Sequence, residues 1–417
     1  MRKSILIMAV AIALLGTMAY AELQNVEVGG KIRIRANWLD FDDFGEQSFI
    51  EQRTRLNVKA DFTDEVTAFI ELDSYDIWGE DFRSVDYITG VDARAASGDD
   101  VEVYQAYIEA REMWGTPLRL RVGRQEITLG SGWLVGTNDK RYSFTGLSWD
   151  AARLSYVTDT ITVDAIAAKL AESFSDFGED DIDFYSIYGS YTGLEDVVID
   201  AYWMYLRDDA TYLESDLHTL GLRGAGKVGA FDFEAEAVYQ LGDAEDTGWW
   251  IFGVDREYDN WGVNLELGYT FDIAWQPRVY AGFAYLGGPE CDTKWFEKDE
   301  YNFALNRLFS NWEYSDFIDN TMLTNAFIYR LGIGVQPTEA VKLALEGLYY
   351  ELDEEFRVGH CFCSKEYDKL GWELQLTGAY NYSEDLVFRA GYSHFFGDEL
   401  LEDEDFNYVF AETEISF

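Results

Sequence analysis

From Val26 to Phe417 the chain alternates between apolar and polar side chains with a period of two residues, and the connections between the alternating runs are by turns short and long. In the first run Val26, Val28, Gly30, Ile32, Ile34, Ala36 and Trp38 share one face of an extended strand, while Lys31, Arg33, Arg35 and Asn37 share the other. The next run, 49–62, repeats the rule. Ile50, Leu56, Val58, Ala60 and Phe62 fall on one side, and Glu51, Arg53, Arg55, Asn57, Lys59 and Asp61 on the other.

The same pattern predicts strands at 66–76, 101–111, 118–129, 147–157, 161–172, 183–192, 197–207, 217–228 and 230–241. It predicts further strands at 261–271, 276–286, 324–335, 340–352, 370–382, 386–396 and 406–417, which brings the number to eighteen. Thr63-Asp64-Glu65, Thr158-Asp159-Thr160, Pro337-Thr338-Glu339 and Ser383-Glu384-Asp385 read as tight turns. The long connections are the acidic segments 77–100, 130–146, 242–260, 287–323 and 353–369. A soluble sandwich has no reason to alternate its loop lengths, whereas a transmembrane antiparallel β-barrel has short periplasmic turns and longer outer loops. The expected fold is therefore all-β, a transmembrane barrel of about 18 strands, with sixteen as the alternative if 161–172 or 183–192 fails to span.

The ends of the chain agree with this. Arg2 and Lys3 precede an apolar run from Ile5 to Leu15, and Ala19-Tyr20-Ala21 offers small residues at alternate positions, the pattern of a secretory signal peptide over 1–21. Cleavage there leaves 22–417 as the barrel. Val409, Ala411, Thr413, Ile415 and Phe417 share one face of the last strand, which finishes on an aromatic carboxyl terminus like those of bacterial outer-membrane barrels. The expected location is the outer membrane, with its lipid and lipopolysaccharide as surroundings.

Composition excludes several classes. With 78 acidic and 32 basic side chains the formal charge is −46, which disfavours a nucleic-acid partner, and 17% aromatic residues is far too apolar for a disordered acidic polymer. The only histidines are His218, His360 and His394, so candidate bases for nucleophilic catalysis are few and no enzyme activity or cofactor is expected. Cys291, Cys361 and Cys363 fall in outer loops, where Cys291 could pair with either of the others; His360 with Cys361 and Cys363 is a thin metal set.

Energy decides which face is which. A basic side chain facing lipid at the bilayer midplane costs roughly 2–4 kcal/mol, so Lys31, Arg33, Arg35, Arg53, Arg55 and Lys59 must face the lumen. Inward positions elsewhere include Arg119, Arg121, Arg153, Arg223, Lys227, Arg278, Arg330, Lys342 and Arg389. Two readings follow. These cations form a basic track that lowers the barrier for anions, or they pair with inward acids such as Glu71, Asp73, Glu109, Glu266, Glu346 and Glu373 and stiffen the wall. In the first hairpin Arg33 and Arg35 lie opposite Arg55 and Arg53 or one step off, a like-charge arrangement that a purely structural wall avoids. The acidic loops are a solvated face, or a calcium-binding surface that bridges lipopolysaccharide phosphates.

Residues 120–130 read LRVGRQEITLG, followed by GSGWLVG to Gly136 and SWDAARLSY over 148–156. This stretch resembles the alginate-export porin family of bacterial outer membranes, most clearly across 103–156. The resemblance implies a single-chain, eighteen-stranded barrel whose arginine-rich lumen passes an anionic polyuronate. Carried over by motif, Arg121, Arg124, Gln125 and Arg153 are lumen residues; strict alternation turns Arg124 outward, so a bulge or kink at Gly123 is expected. Two positions depart from the family pattern, Trp133 and Leu147 standing where arginine is frequent.

Together these readings predict a monomeric channel for passive movement of anionic small-molecule or polysaccharide solutes, with the long loops, chiefly 287–323, folded over or into its mouth. The alternatives are a general or cation-preferring porin, and a structural barrel with a plugged lumen.

Overall fold

A computed structural model describes residues 23–41, 45–78, 101–139, 146–172, 181–210, 213–246, 255–292, 300–319, 323–358, 365–401 and 404–417. The expected signal peptide, His360, Cys361, Cys363 and the side chain of Cys291 lie outside this description.

The strands run in chain order β1 (Asn25–Phe41), β2 (Gly45–Thr63), β3 (Val66–Ile77), β4 (Glu102–Ala110), β5 (Leu118–Gln125), β6 (Trp149–Val157), β7 (Ile161–Ala171), β8 (Ile182–Leu194), β9 (Val197–Asp208) and β10 (Leu213–Val228). They continue as β11 (Phe231–Asp246), β12 (Asp255–Thr270), β13 (Arg278–Leu286), β14 (Glu290–Asp292), β15 (Glu300–Asn302), β16 (Ala326–Thr338), β17 (Val341–Val358), β18 (Lys365–Asn381), β19 (Leu386–Gly397) and β20 (Asp405–Ser416). β14 and β15 belong to a loop, and β13 pairs directly with β16. The other eighteen form one antiparallel barrel.

Closure comes from β1 pairing with β20. At the seam the Gly30 N–H donates to the Phe417 carbonyl at 2.9 Å, and the Phe417 N–H returns a bond to Gly30 at 3.0 Å. A closed barrel has no edge, so every strand satisfies its backbone groups within lipid. Each of the eighteen expected strands has a counterpart, and 161–172 and 183–192 span as β7 and β8. No helix among the described residues is long and apolar enough to cross a membrane.

Two expected loops are mostly strand. β11 and β12 extend into 242–260, and β17 and β18 into 353–369. Hairpin pairing there continues into the acidic segments, where the apolar alternation disappears from the sequence. The turn expected at Pro337-Thr338-Glu339 falls at Glu339–Ala340, because Pro337 and Thr338 close β16 across a register shift.

The outward face is a belt of exposed apolar side chains such as Val28, Leu56, Ile70, Ile108, Leu154, Ile187, Leu222, Leu331 and Leu376. In water such a surface drives association; in a bilayer it is the solvated state. The packed apolar core lies inside the lumen. Ile127, Leu129, Trp133, Leu134 and Val135, from the loop after β5, bury against Leu305 and Tyr314 from the loop after β13 and against Trp149, Phe184, Ile328, Tyr350 and Phe395 of the wall.

Candidate functional site

The loops after β5 and after β13 interlock within the barrel. Phe309 N–H donates to the Leu134 carbonyl at 2.8 Å, Gly136 N–H to Phe309 at 2.9 Å and Asn311 N–H to Gly132 at 2.8 Å. Val135 and Phe309 form a parallel bridge. Trp133, fully buried, donates its indole N–H to the Tyr314 hydroxyl at 2.7 Å, and the Trp312 indole donates to the Ser131 carbonyl at 3.0 Å. The expected infolding of 287–323 is therefore present, and the loop after β5 joins it. Trp133 and Leu147, the two departures from the basic pattern, are both part of this plug: Leu147 packs on its core and accepts a bond from Tyr104.

Polar contacts tie the plug to the wall. Tyr350 donates to the Tyr314 carbonyl at 2.8 Å, Gln240 to the Asn306 carbonyl at 2.7 Å, and the Asp316 N–H to Glu373 at 2.9 Å. Within the second loop Arg307 is buried against Asp319 at 2.7 Å. A lone buried charge is costly, and Arg307 finds its counter-ion within its own loop.

The first hairpin is the main electrostatic joint. The register sets Arg33 directly opposite Arg53, with Lys31 opposite Arg55 and Arg35 opposite Glu51. Asp139 reaches in from the loop after β5, 2.9 Å from Arg33 and 2.6 Å from Arg53. Glu412 of β20 holds Arg33 at 2.9 Å and Arg35 at 2.8 Å. Arg55 bonds Asp73 at 2.9 Å and Glu126 at 3.0 Å and stacks on Tyr104. Burial opposes ionisation of Asp139, but Arg53, Arg33 and Lys31 outweigh it and hold the carboxyl below its usual range. Arg35 and Arg53 are 1% exposed, so little of either guanidinium is open to the lumen.

The other inward cations follow the wall. Arg121 pairs with Glu109, Arg153 with Asp164, Arg223 with Asp200 and Glu234, Arg330 with Glu266, and Arg389 and Lys31 with acids of β20. Lys59, near the turn end, pairs with Glu27 and Asp61. Arg119, Lys227 and Lys342 have no ion pair among the described residues. Gln125 is fully buried and donates to the Gly123 and Ala151 carbonyls.

Arg124 is a correction. It faces outward, bound to Asp150 by two bonds of 2.9 Å. The β4–β5 and β5–β6 registers run through Gly123 without a bulge, so alternation is not reset. Gly123 instead takes φ +127, and a Cβ there would lie 2.2 Å from the Ala106 carbonyl oxygen. The motif glycine permits close strand approach and leaves the arginine on the outer face.

Beneath the plug, at the turn end of the barrel, a cavity of about 740 Å³ remains, lined by Lys31, Arg33, Arg35, Arg278, Lys342 and Arg389 together with Asp139, Glu412 and Glu414. Six basic and three acidic side chains line this vestibule in a chain of −46, and Arg278 is also paired with Asp232 and Glu266 just outside the lining. Asp139, Glu126 and Glu412 are the functional residues not singled out from the sequence. Glu412 was legible from the alternation of β20, whereas Asp139 is one carboxylate among many in loops.

A family model described as alginate export matches residues 24–409. The chain belongs to the alginate export family. Its fold is that of solved outer-membrane porins. Pseudomonas aeruginosa OpdQ superposes with TM-score 0.58 at 13% identity, covering 94% of this chain and 98% of that one. Acinetobacter baumannii OccAB3 gives 0.59 at 14% identity, over 94% and 100%. Pseudomonas aeruginosa OpdO gives 0.59 at 11%, over 95% and 98%. Among curated proteins no sequence matches significantly. This alginate export family member is an outer-membrane channel protein located in the bacterial outer membrane.

Proposed function

We propose that this channel passes anionic solutes passively, as a monomer without a cofactor, and that linear uronate-type oligomers are its solute class. The observation that carries this is the vestibule, with six cations and three carboxylates at the periplasmic end of a strongly acidic protein. An anion arriving from the periplasm leaves bulk water for a positive, partly enclosed space. Several weak cationic contacts let it enter without trapping it. Membership of the alginate export family favours a polyuronate over a small inorganic anion.

A cation-preferring channel is the second reading, favoured by one observation: Arg33, Arg35, Arg53 and Arg55 each have carboxylate partners. Reconstitution in a planar bilayer separates the two. Anion-selective reversal potentials across a salt gradient, with transient block by oligouronates from the periplasmic side, are expected. Cation selectivity with no block selects the second reading.

A further inference from the structure

Two departures from a regular wall meet at the periplasmic lip of the vestibule. Where 195–196, 229–230 and 339–340 join their strands with two residues, the connection 271–277 between β12 and β13 has seven. In it Trp275 and Gln276 take φ +70 and +43, the left-handed region that glycine enters freely and a bulky side chain enters only at a cost. Neither is a residue that a free turn selects. The second departure lies on β16, which pairs with β13. Val335 stands opposite Leu343 and Thr338 opposite Val341, so Gln336 and Pro337 together face Lys342 in a β-bulge.

The two departures are bonded to each other. The Gln336 N–H donates to the Trp275 carbonyl at 2.8 Å, the Gln276 N–H to the Ile273 carbonyl at 3.0 Å, and the Phe271 N–H to the Pro277 carbonyl at 2.8 Å. The neighbouring hairpin thus holds the strained turn in place. Strain that persists because its surroundings over-determine it is found where a side chain is being positioned. Here each irregularity brings a glutamine to the lining of the vestibule, and among the lining residues Gln276 and Gln336 are the two that carry a side-chain amide. Gln276 is exposed, and its side chain has no hydrogen bond among the described residues. Gln336 spends one N–H on the Glu339 carbonyl, at 3.4 Å. Both amides therefore keep donors and acceptors for a visitor, beside a lysine that has no ion pair among the described residues.

We propose that Gln276 and Gln336 are specificity-determining residues of the vestibule, which read the hydroxyl groups of a sugar acid while Lys342 draws its carboxylates. This assignment rests on the reading of the vestibule as an entrance for anions. A cation attracts chloride, a sugar acid or any other polyanion alike, because its field does not report what the charge is attached to. An amide supplies that information. Its carbonyl accepts from a hydroxyl and its NH₂ group donates to one, so a hydroxylated chain gains bonds that a bare polycarboxylate cannot make.

The test uses the full-length protein in planar bilayers, blocked from the periplasmic side by tetragalacturonate or by an oligoacrylate of equal charge, which has carboxylates and no hydroxyls. The parent is expected to be blocked by the uronate at about tenfold lower concentration than by the acrylate, the effect of roughly two hydrogen bonds. Gln276→Ala with Gln336→Ala is expected to remove that preference while the reversal potential in a chloride gradient stays that of the parent. Should the double variant not insert, Gln276→Ala alone, at an exposed side chain, is expected to reduce the preference about threefold. An anion-selective parent without the preference, a variant that keeps it, or one that loses it only together with the chloride reversal potential overturns the assignment of the glutamines alone. A cation-selective parent that neither oligomer blocks overturns the anion reading of the vestibule, and this assignment with it.

Discussion

Arg33 and Arg53 stand directly opposite each other on β1 and β2, and a carboxylate that bridges them, that of Asp139, comes from the loop folded inside the barrel. Like charges paired across strands destabilise a sheet. This wall is therefore completed by its plug, and the position of the plug is fixed by the wall.

Replacing Asp139 by asparagine keeps the volume and removes the charge that both arginines share. Stripping one partner from a largely buried ion cluster costs about 3 kcal/mol or more. Asp139→Asn is expected to lower the thermal midpoint in detergent and to shift the reversal potential toward anions. An unshifted midpoint rules out Asp139 as the link between wall and plug.

The same carboxyl sets a pH window. Its value in the folded protein is depressed below the ordinary 3.8, so its contribution is fully present above that value and is lost as pH falls through the depressed one. Conductance through this joint is expected to be constant from pH 7 to about 5 and to change only below about pH 4. Asp139→Asn is expected to abolish the acid transition; an identical transition in the variant places its origin elsewhere.

Selectivity is expected to follow the exposed cations of the vestibule, Lys342 and Arg389, and not the buried arginines of the first hairpin. Lys342 lines the cavity with no ion pair among the described residues, so its charge is the least cancelled by neighbours. Lys342→Glu with Arg389→Glu is expected to move the reversal potential toward cations by more than Arg53→Ala with Arg55→Ala, which is expected mainly to destabilise. The reverse order moves the selectivity element up to the first hairpin.

The wall was legible because a bilayer enforces one rule on every strand: apolar outward, with the exceptions near the interfaces. Eighteen strands, the inward set from Lys31 to Lys59 and the close spacing of Arg33 and Arg53 all follow from counting by two. Arg124 shows the limit, since the family motif suggested an inward side chain where alternation pointed outward, and alternation was right. The plug was only partly legible. Residues 126–139 have no period that distinguishes a segment buried in a lumen from one in solvent, and their partners at 305–319 are far away in sequence. The acidic composition hid Asp139 in the same way.

Gly136 provides the most direct means of loosening the plug. A Cβ there would lie 2.4 Å from Cβ of Asn311, where the Gly136–Phe309 and Asn311–Gly132 bonds hold the loop after β13 against it. The barrel closes independently through β1 and β20, so Gly136→Val is expected to spare the fold, read as unchanged heat-modifiable migration on gels, while raising single-channel conductance. Trp133→Ala acts on the same joint by removing a fully buried side chain, at about 3–5 kcal/mol. Gly224→Ala is the control, because a Cβ there meets no atom within 4 Å. Equal conductance in Gly136→Val, Trp133→Ala and Gly224→Ala means that ions pass beside the interlocked loops and not through the joint between them. In that case the Asp139 cluster and the vestibule alone set the conducting path.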